Sequence, residues 1–181
     1  MTDVALRDGQ ASTFSGSVTG LVPVAGDILT FTAPTTVGRI MKLTRLSVTA
    51  VATAASVADL QLIKRSTVDT AGTGASVATA NHDPFGGAAT TVVTSYTAAP
   101  TLGTIVGTPL RAAKLTYGLA ASGPTGPVTW QFGDRAAMAP RLVGPGAPQT
   151  ILVAAQICLN LSAAPAGILV DIDFEFTEDL Y

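Results

Sequence analysis

Val170-Asp171-Ile172-Asp173-Phe174-Glu175-Phe176 alternates apolar and acidic side chains without a slip. Side chains on a strand point to opposite faces with a period of two. Val170, Ile172, Phe174 and Phe176 therefore share one face, and Asp171, Asp173 and Glu175 share the other. The stretch reads as a half-buried strand with one wet, acidic side. Two phenylalanines on the apolar side make it a core element. Asp59-Leu60-Gln61-Leu62-Ile63-Lys64-Arg65 alternates in a similar way. Helix formers are scarce: Glu175 and Glu178 are the only glutamates, and Lys42, Lys64 and Lys114 the only lysines. Thr, Val and Ile are plentiful, as strands prefer, and 11 prolines and 18 glycines punctuate the chain. The fold class expected is all-β.

Outward from that strand, further strands are expected at 28–32, 39–52, 57–68, 90–96, 104–106, 113–117, 128–132, 149–161 and 167–176. The alternation over 39–52 changes parity between Leu43 and Leu46, which predicts a β-bulge. Ile151 to Val170 has the length of a membrane span, but Gln156, Asn160, Ser162, Pro165 and Gly167 interrupt it. Two strands joined by a hairpin at Pro165-Ala166-Gly167 explain it better. Long loops are expected at 69–89 and 133–148. Many short strands separated by turns indicate an antiparallel β-sandwich or a barrel. Residues 1–20, rich in Ser, Thr and Gly, read as an extended N-terminal arm anchored by Phe14, and 21–181 as a single β-sandwich domain.

The chain has 181 residues, enough for one sizeable core. Charged residues make up 12%, against roughly 25% in ordinary soluble domains. A surface of Ala, Thr, Ser and Gly suits a subunit covered by neighbours rather than a free monomer. The net charge is −2 and the basic residues are scattered. Arg39, Lys42 and Arg45 come closest to a patch, but strand spacing puts them on alternating faces, so no nucleic-acid partner is expected. One cysteine, Cys158, allows no internal disulfide. Met1-Thr2-Asp3-Val4 shows no basic region followed by an apolar run, so no signal peptide is expected. No membrane partner is expected either.

No chemistry-bearing constellation emerges. His82, the only histidine, sits in turn sequence, Asn81-His82-Asp83-Pro84. A Cys–His nucleophilic pair would need Cys158 beside it, yet Cys158 lies in an apolar strand where a thiol is normally inert. The acids Asp171, Asp173, Glu175, Glu178 and Asp179 read as a solvated strand face that discourages wrong edge pairing. Gly72-Thr73-Gly74 and Gly123-Pro124-Thr125-Gly126 match no phosphate-binding pattern. Trp130 and Phe132 flank Gln131, so both rings share a face; core packing is the first reading and a glycan platform the alternative. Arg135 and Arg141, in a Gly/Pro-rich loop, are candidate interface residues, as is Phe14. No catalytic residue, cofactor or metal is expected, and the protein is expected not to be an enzyme.

Trp130-Gln131-Phe132-Gly133-Asp134-Arg135-Ala136, then Gly144-Pro145-Gly146, then Leu159-Asn160-Leu161-Ser162-Ala163, and the closing Asp171-Ile172-Asp173-Phe174-Glu175-Phe176-Thr177-Glu178 resemble the C-terminal half of small β-sandwich proteins of tailed-bacteriophage virions. Many of these end in an alternating strand followed by Thr-Glu. The resemblance covers the last part of the chain and not its Ala/Thr-rich first half. It implies a jelly-roll-like fold, a place on the particle as a capsid decoration (cement) protein, and homo-oligomers, with a trimer favoured. The expected partners are capsid or other virion proteins, and the expected location is the virion after synthesis in the host cytoplasm. The alternatives are another particle component (a head-fibre base, neck or tail protein) and a host-glycan-binding module.

Overall fold

A computed structural model describes residues 11–83, 86–133, 140–145 and 154–180. Among them are twelve strands and no helix: β1 (Ser12–Leu21), β2 (Gly26–Thr32), β3 (Arg39–Ala52), β4 (Ser56–Arg65), β5 (Thr73–Ser76), β6 (Ala80–Asn81), β7 (Val92–Ala98), β8 (Arg111–Leu119), β9 (Val128–Gln131), β10 (Arg141–Val143), β11 (Gln156–Leu161) and β12 (Leu169–Leu180). The fold is all-β, as the sparse helix formers require. No helix of the described residues is long and apolar enough to cross a membrane.

The strands form a curled sheet in the order β5-β7-β2-β11-β4-β8-β3-β12-β1-β6. The β3–β8 pairing is parallel and short, Val51 with Gly118 and Ala52 with Leu119, and it joins two otherwise antiparallel halves. Along the same edge of β3, β10 pairs with Ile40 to Lys42 and β9 with Arg45 to Val48. One long strand thus has its far edge filled piecewise by three short ones.

The two halves share an apolar core. Phe31 of β2 meets Phe174 of β12 edge-on, with ring centroids 5.2 Å apart, and Phe14 of β1 stacks on Phe176 at 5.3 Å. All four rings are essentially excluded from solvent. Aromatic pairs in such geometries add about 0.5–1.5 kcal/mol beyond their buried area. Gly16 lies opposite Phe174 in the β1–β12 ladder, and a Cβ there would run into the Phe174 ring. The missing side chain is what lets the ring lie across β1.

The bulge expected in β3 is present. Glu175 pairs with Arg45 and Phe176 with Leu43, leaving Thr44 unmatched. The extra residue resets the parity, so that Leu43 and Leu46 both face the core. The Thr44 hydroxyl donates to the Glu175 carbonyl at 2.9 Å across the bulge.

Several expectations need correction. Residues 12–20 are not a free arm: β1 pairs with β12 from Ser12 to Leu21 and with β6 at Phe14 and Ser15. Its alternation of Phe14 and Val18 with polar residues gives it an inner face, so burial favours the sheet over an extended path. Residues 1–10 lie outside the described residues. Residues 156–161 and 169–180 do not form a hairpin. β11 pairs with β2 and β4, and β12 with β1 and β3, so the turn near Gly167 crosses between the halves. Ile157, Leu159 and Leu161 cover the core from one side, and Val170, Ile172 and Phe174 from the other. The loop expected at 69–89 contains β5 and β6, and the one expected at 133–148 contains β10.

Candidate functional site

The densest polar chemistry lies on the other face of β2, β4 and β11. In β11, Ile157, Leu159 and Leu161 point to the phenylalanine core, so Gln156, Cys158 and Asn160 point away from it. Cys158 lies opposite Ile63 and Thr30, and Gln156 opposite Arg65 and Thr32. A register shift leaves Ile28 unmatched and sets Asp27 opposite Asn160. An outer sheet face is normally wet, yet Asp27, Arg65, Gln156 and Cys158 are all buried. The cover is a ribbon made of 66–70 and 101–106. Ser66 donates to the Thr104 carbonyl at 2.9 Å, and Thr70 and Thr101 exchange both backbone bonds, at 3.0 and 2.6 Å.

Arg65 sits at the centre. Its Nε and Nη2 donate to the two oxygens of Asp27 at 2.5 and 3.0 Å, and Nη1 donates to the Gly103 carbonyl at 2.6 Å. The paired, charge-assisted geometry is the strong form of such a contact. Asn160 Nδ2 donates to Asp27 Oδ1 at 2.6 Å. Asp69 Oδ1 lies 3.4 Å from Arg65 Nε and accepts the Gly103 N–H at 2.8 Å. The Asp69 N–H donates to Gln156 Oε1 at 2.7 Å, and Gln156 Nε2 to the Thr32 hydroxyl at 3.0 Å. Gly103 is needed for the close approach: a Cβ there would collide with the Thr67 carbonyl.

The two carboxyls are not equivalent. Burial works against an ionised Asp27, but the Arg65 and Asn160 hydrogen bonds and the Arg65 charge outweigh it, and its pKa lies below the ordinary value. Burial pushes Asp69 up to about 6, against the Gly103 N–H and with the Asp27 carboxylate adding to the rise. Burial also pushes the Cys158 thiol up, and Asp27 and Asp69 reinforce it. Asp27, Asp69 and Cys158 place donor atoms within 4.8 Å of one another. The Arg65 guanidinium already engages both Asp27 oxygens, and the thiol stays protonated. The cluster is therefore a buried ion-pair network that ties the ribbon to the sheet, shut off from any substrate.

The residues singled out from the sequence are scattered. Phe14 is a core ring. Arg135 falls outside the described residues. Arg141 is exposed on β10, opposite Lys42. Its charge adds to the burial that lowers the Lys64 pKa. Trp130 lies opposite Leu46, partly buried against the core, and Phe132 is 6% exposed beneath the Arg111 guanidinium, 5.2 Å from the ring centroid. These two rings form no open platform. His82 hydrogen bonds Ser15 at 2.9 Å on the β1 side, in the half of the sheet opposite to Cys158.

The acidic set divides. Asp171 accepts the Gly20 N–H at 2.7 Å, and Glu175 lies on the same outer face. Glu178, in contrast, is buried opposite Met41 and accepts the N–H groups of Thr90 and Thr91 at 2.9 and 2.5 Å, with Arg39 3.7 Å away. This corrects the reading of all five acids as one solvated face: position 178 has the parity of Phe174 and Phe176, so Glu178 turns inward. For Asp27, Arg65, Asp69, Gln156 and Asn160 the sequence offered no spacing signal, because the cluster forms only when three strands and the ribbon meet. No family model matches the chain, and neither a curated protein nor a solved structure does so.

Proposed function

We propose that this chain is a non-enzymatic structural protein of a tailed-bacteriophage virion, a capsid decoration protein that binds the assembled shell and stabilises it. We read the curled sheet, whose two antiparallel halves bury one aromatic core, as a jelly-roll-like β-sandwich. The observation that carries the functional reading is the distribution of exposed apolar side chains on a surface poor in charge. Val22, Val57, Leu119 and Leu169 stand exposed at the end of the sheet where β1, β3 and β8 finish. Val37, Val68, Val92, Leu102 and Ile105 stand exposed near the end where β3 begins. Apolar groups gathered at both ends favour a subunit with neighbours there. The neighbours proposed are shell proteins and sister copies, with a closed trimer as the favoured oligomer.

A subunit that binds only the assembled shell stabilises it by mass action. Co-sedimentation with expanded, empty shells of the matching particle tests this. Saturable, stoichiometric binding that raises the shell's disruption temperature is the expected result. Failure to bind at any concentration would refute the decoration role.

A further inference from the structure

The ribbon of 66–70 and 101–106 is an unusual cover. Three of its four large apolar side chains, Val68, Leu102 and Ile105, are 44%, 47% and 54% exposed and only Val106 is partly covered, so apolar burial contributes little to holding it down. Directional bonds from the buried cluster hold it: Asp69 N–H to Gln156, Gly103 N–H to Asp69, and Arg65 to the Gly103 carbonyl. Asp69 belongs to the ribbon, whereas Asp27, Arg65 and Gln156 belong to the sheet. The ion pairing across this boundary is unbalanced, with one guanidinium facing two carboxyls. Asp69 Oδ2 is buried and accepts no hydrogen bond. The Asp69 and Asp27 carboxyls place oxygens within 4.8 Å of each other beside that one guanidinium, and a proton on Asp69 would both balance the charge and give the buried oxygen a bond to make.

We propose that the ribbon is latched to the sheet by a proton held on Asp69 and donated to Asp27, and that loss of this proton loosens the ribbon. With the proton in place, the cluster is one guanidinium, one carboxylate and one neutral carboxylic acid, balanced in charge. Without it, two carboxylates face each other in a nearly dry site around a single cation, and the strain is relieved by lifting Asp69 into water. The groups facing Asp69 are Asp27 on β2, Arg65 on β4, Tyr96 on β7 and Cys158 on β11. Burial raises Tyr96 and Cys158 as well, so both stay neutral through the acid and neutral range, and Arg65 stays charged. Asp69 is left as the group that changes state.

The sign follows from linkage. Asp69 in the closed state holds its proton to about pH 6, whereas the ordinary carboxyl releases it near pH 4. The closed state therefore binds the extra proton across that interval, and closure weakens as the pH rises through it, levelling off above. Asp27 acts in the opposite sense and only at lower pH, because its folded pKa is depressed. The inference does not depend on the virion reading, and each can fail without the other.

Amide hydrogen exchange of the whole protein reads the latch directly. The protection factors of the Gly103 and Asp69 amides are expected to fall on the order of tenfold between about pH 4.5 and about pH 7.5. Asp69→Asn keeps an oxygen acceptor for Gly103 and carries no proton to lose, so its ribbon protection is expected not to change with pH. Equal or greater protection of the wild-type ribbon at the higher pH would overturn the proposal, as would an unchanged pH dependence in Asp69→Asn. Should that variant not fold, the carboxyl-carbon titration of Asp69 in the wild type decides: a midpoint near 6 supports the latch, and an ordinary carboxylate midpoint rules it out.

Discussion

The molecule has two interiors on opposite faces of the same three strands. On one face of β2, β4 and β11, Phe31, Leu60, Leu62, Ile157 and Leu159 pack into the aromatic core. On the other face, Arg65, Asp27, Gln156, Asn160 and Cys158 lie under a ribbon. The first interior is held by non-directional burial, at about 25 cal/mol per Å² of apolar surface. The second is held by about half a dozen directional bonds among desolvated groups, where each bond contributes little net but each orphaned group costs much. Pairs of apolar neighbours in the first interior can adjust to small losses. The second depends on every partner being present.

Substitutions can break this contrast. Phe174→Ala removes the ring that meets Phe31 and lies across Gly16, and should cost about 3–5 kcal/mol in denaturant unfolding. Arg65→Met should cost a similar amount, about 3–5 kcal/mol, because it leaves the buried Asp27 carboxylate, with the Asp69 carboxyl beside it, without the guanidinium that pairs them. The distinction is in the rescue. Replacing Asp27 and Asp69 with uncharged residues in the Arg65→Met background should recover much of the loss, whereas no second substitution at a distance rescues Phe174→Ala. A failure of the charge-free triple variant to recover stability would show that the network contributes more than charge balance.

Smaller effects sharpen the same comparison. Gly16→Ala should cost about 1–3 kcal/mol, since the added carbon overpacks the site beside Phe174. Glu178→Ala should cost about 1.5–3 kcal/mol by freeing the buried N–H groups of Thr90 and Thr91. Arg111→Ala should cost about 0.5–1 kcal/mol for the lost stacking over Phe132. Lys114→Ala, which breaks an exposed pair with Asp59, should fall within about 0.5 kcal/mol of the wild type. Each is read from the midpoint of urea unfolding at constant slope.

The first interior was legible in the sequence and the second was not. Val170 to Phe176 declared its core face by alternation alone, and the parity slip between Leu43 and Leu46 bracketed the bulge that the strand register puts at Thr44. Period-two patterning works because one sheet face is apolar. It misleads at β11, where both faces are buried, so that the stretch reads as a continuous apolar run and its partner strands stay hidden. The pairing of 156–161 with β2 and β4, rather than with the strand that follows, is a long-range choice that no local turn signal encodes. Asp27 is separated from Arg65 and Asp69 by other elements, and each alone looks like an ordinary strand-end charge. Glu178 is the residue whose burial could have been anticipated, since its even position places it with Phe174 and Phe176.

A particle map in which one copy can be traced with its neighbours is the most direct test of the functional account. The expected result is that Val22, Val57, Leu119 and Leu169 at one end, and Val37, Leu102 and Ile105 at the other, are covered by shell protein or sister copies. Finding both ends bare in solvent, with the protein absent from the particle, would contradict it.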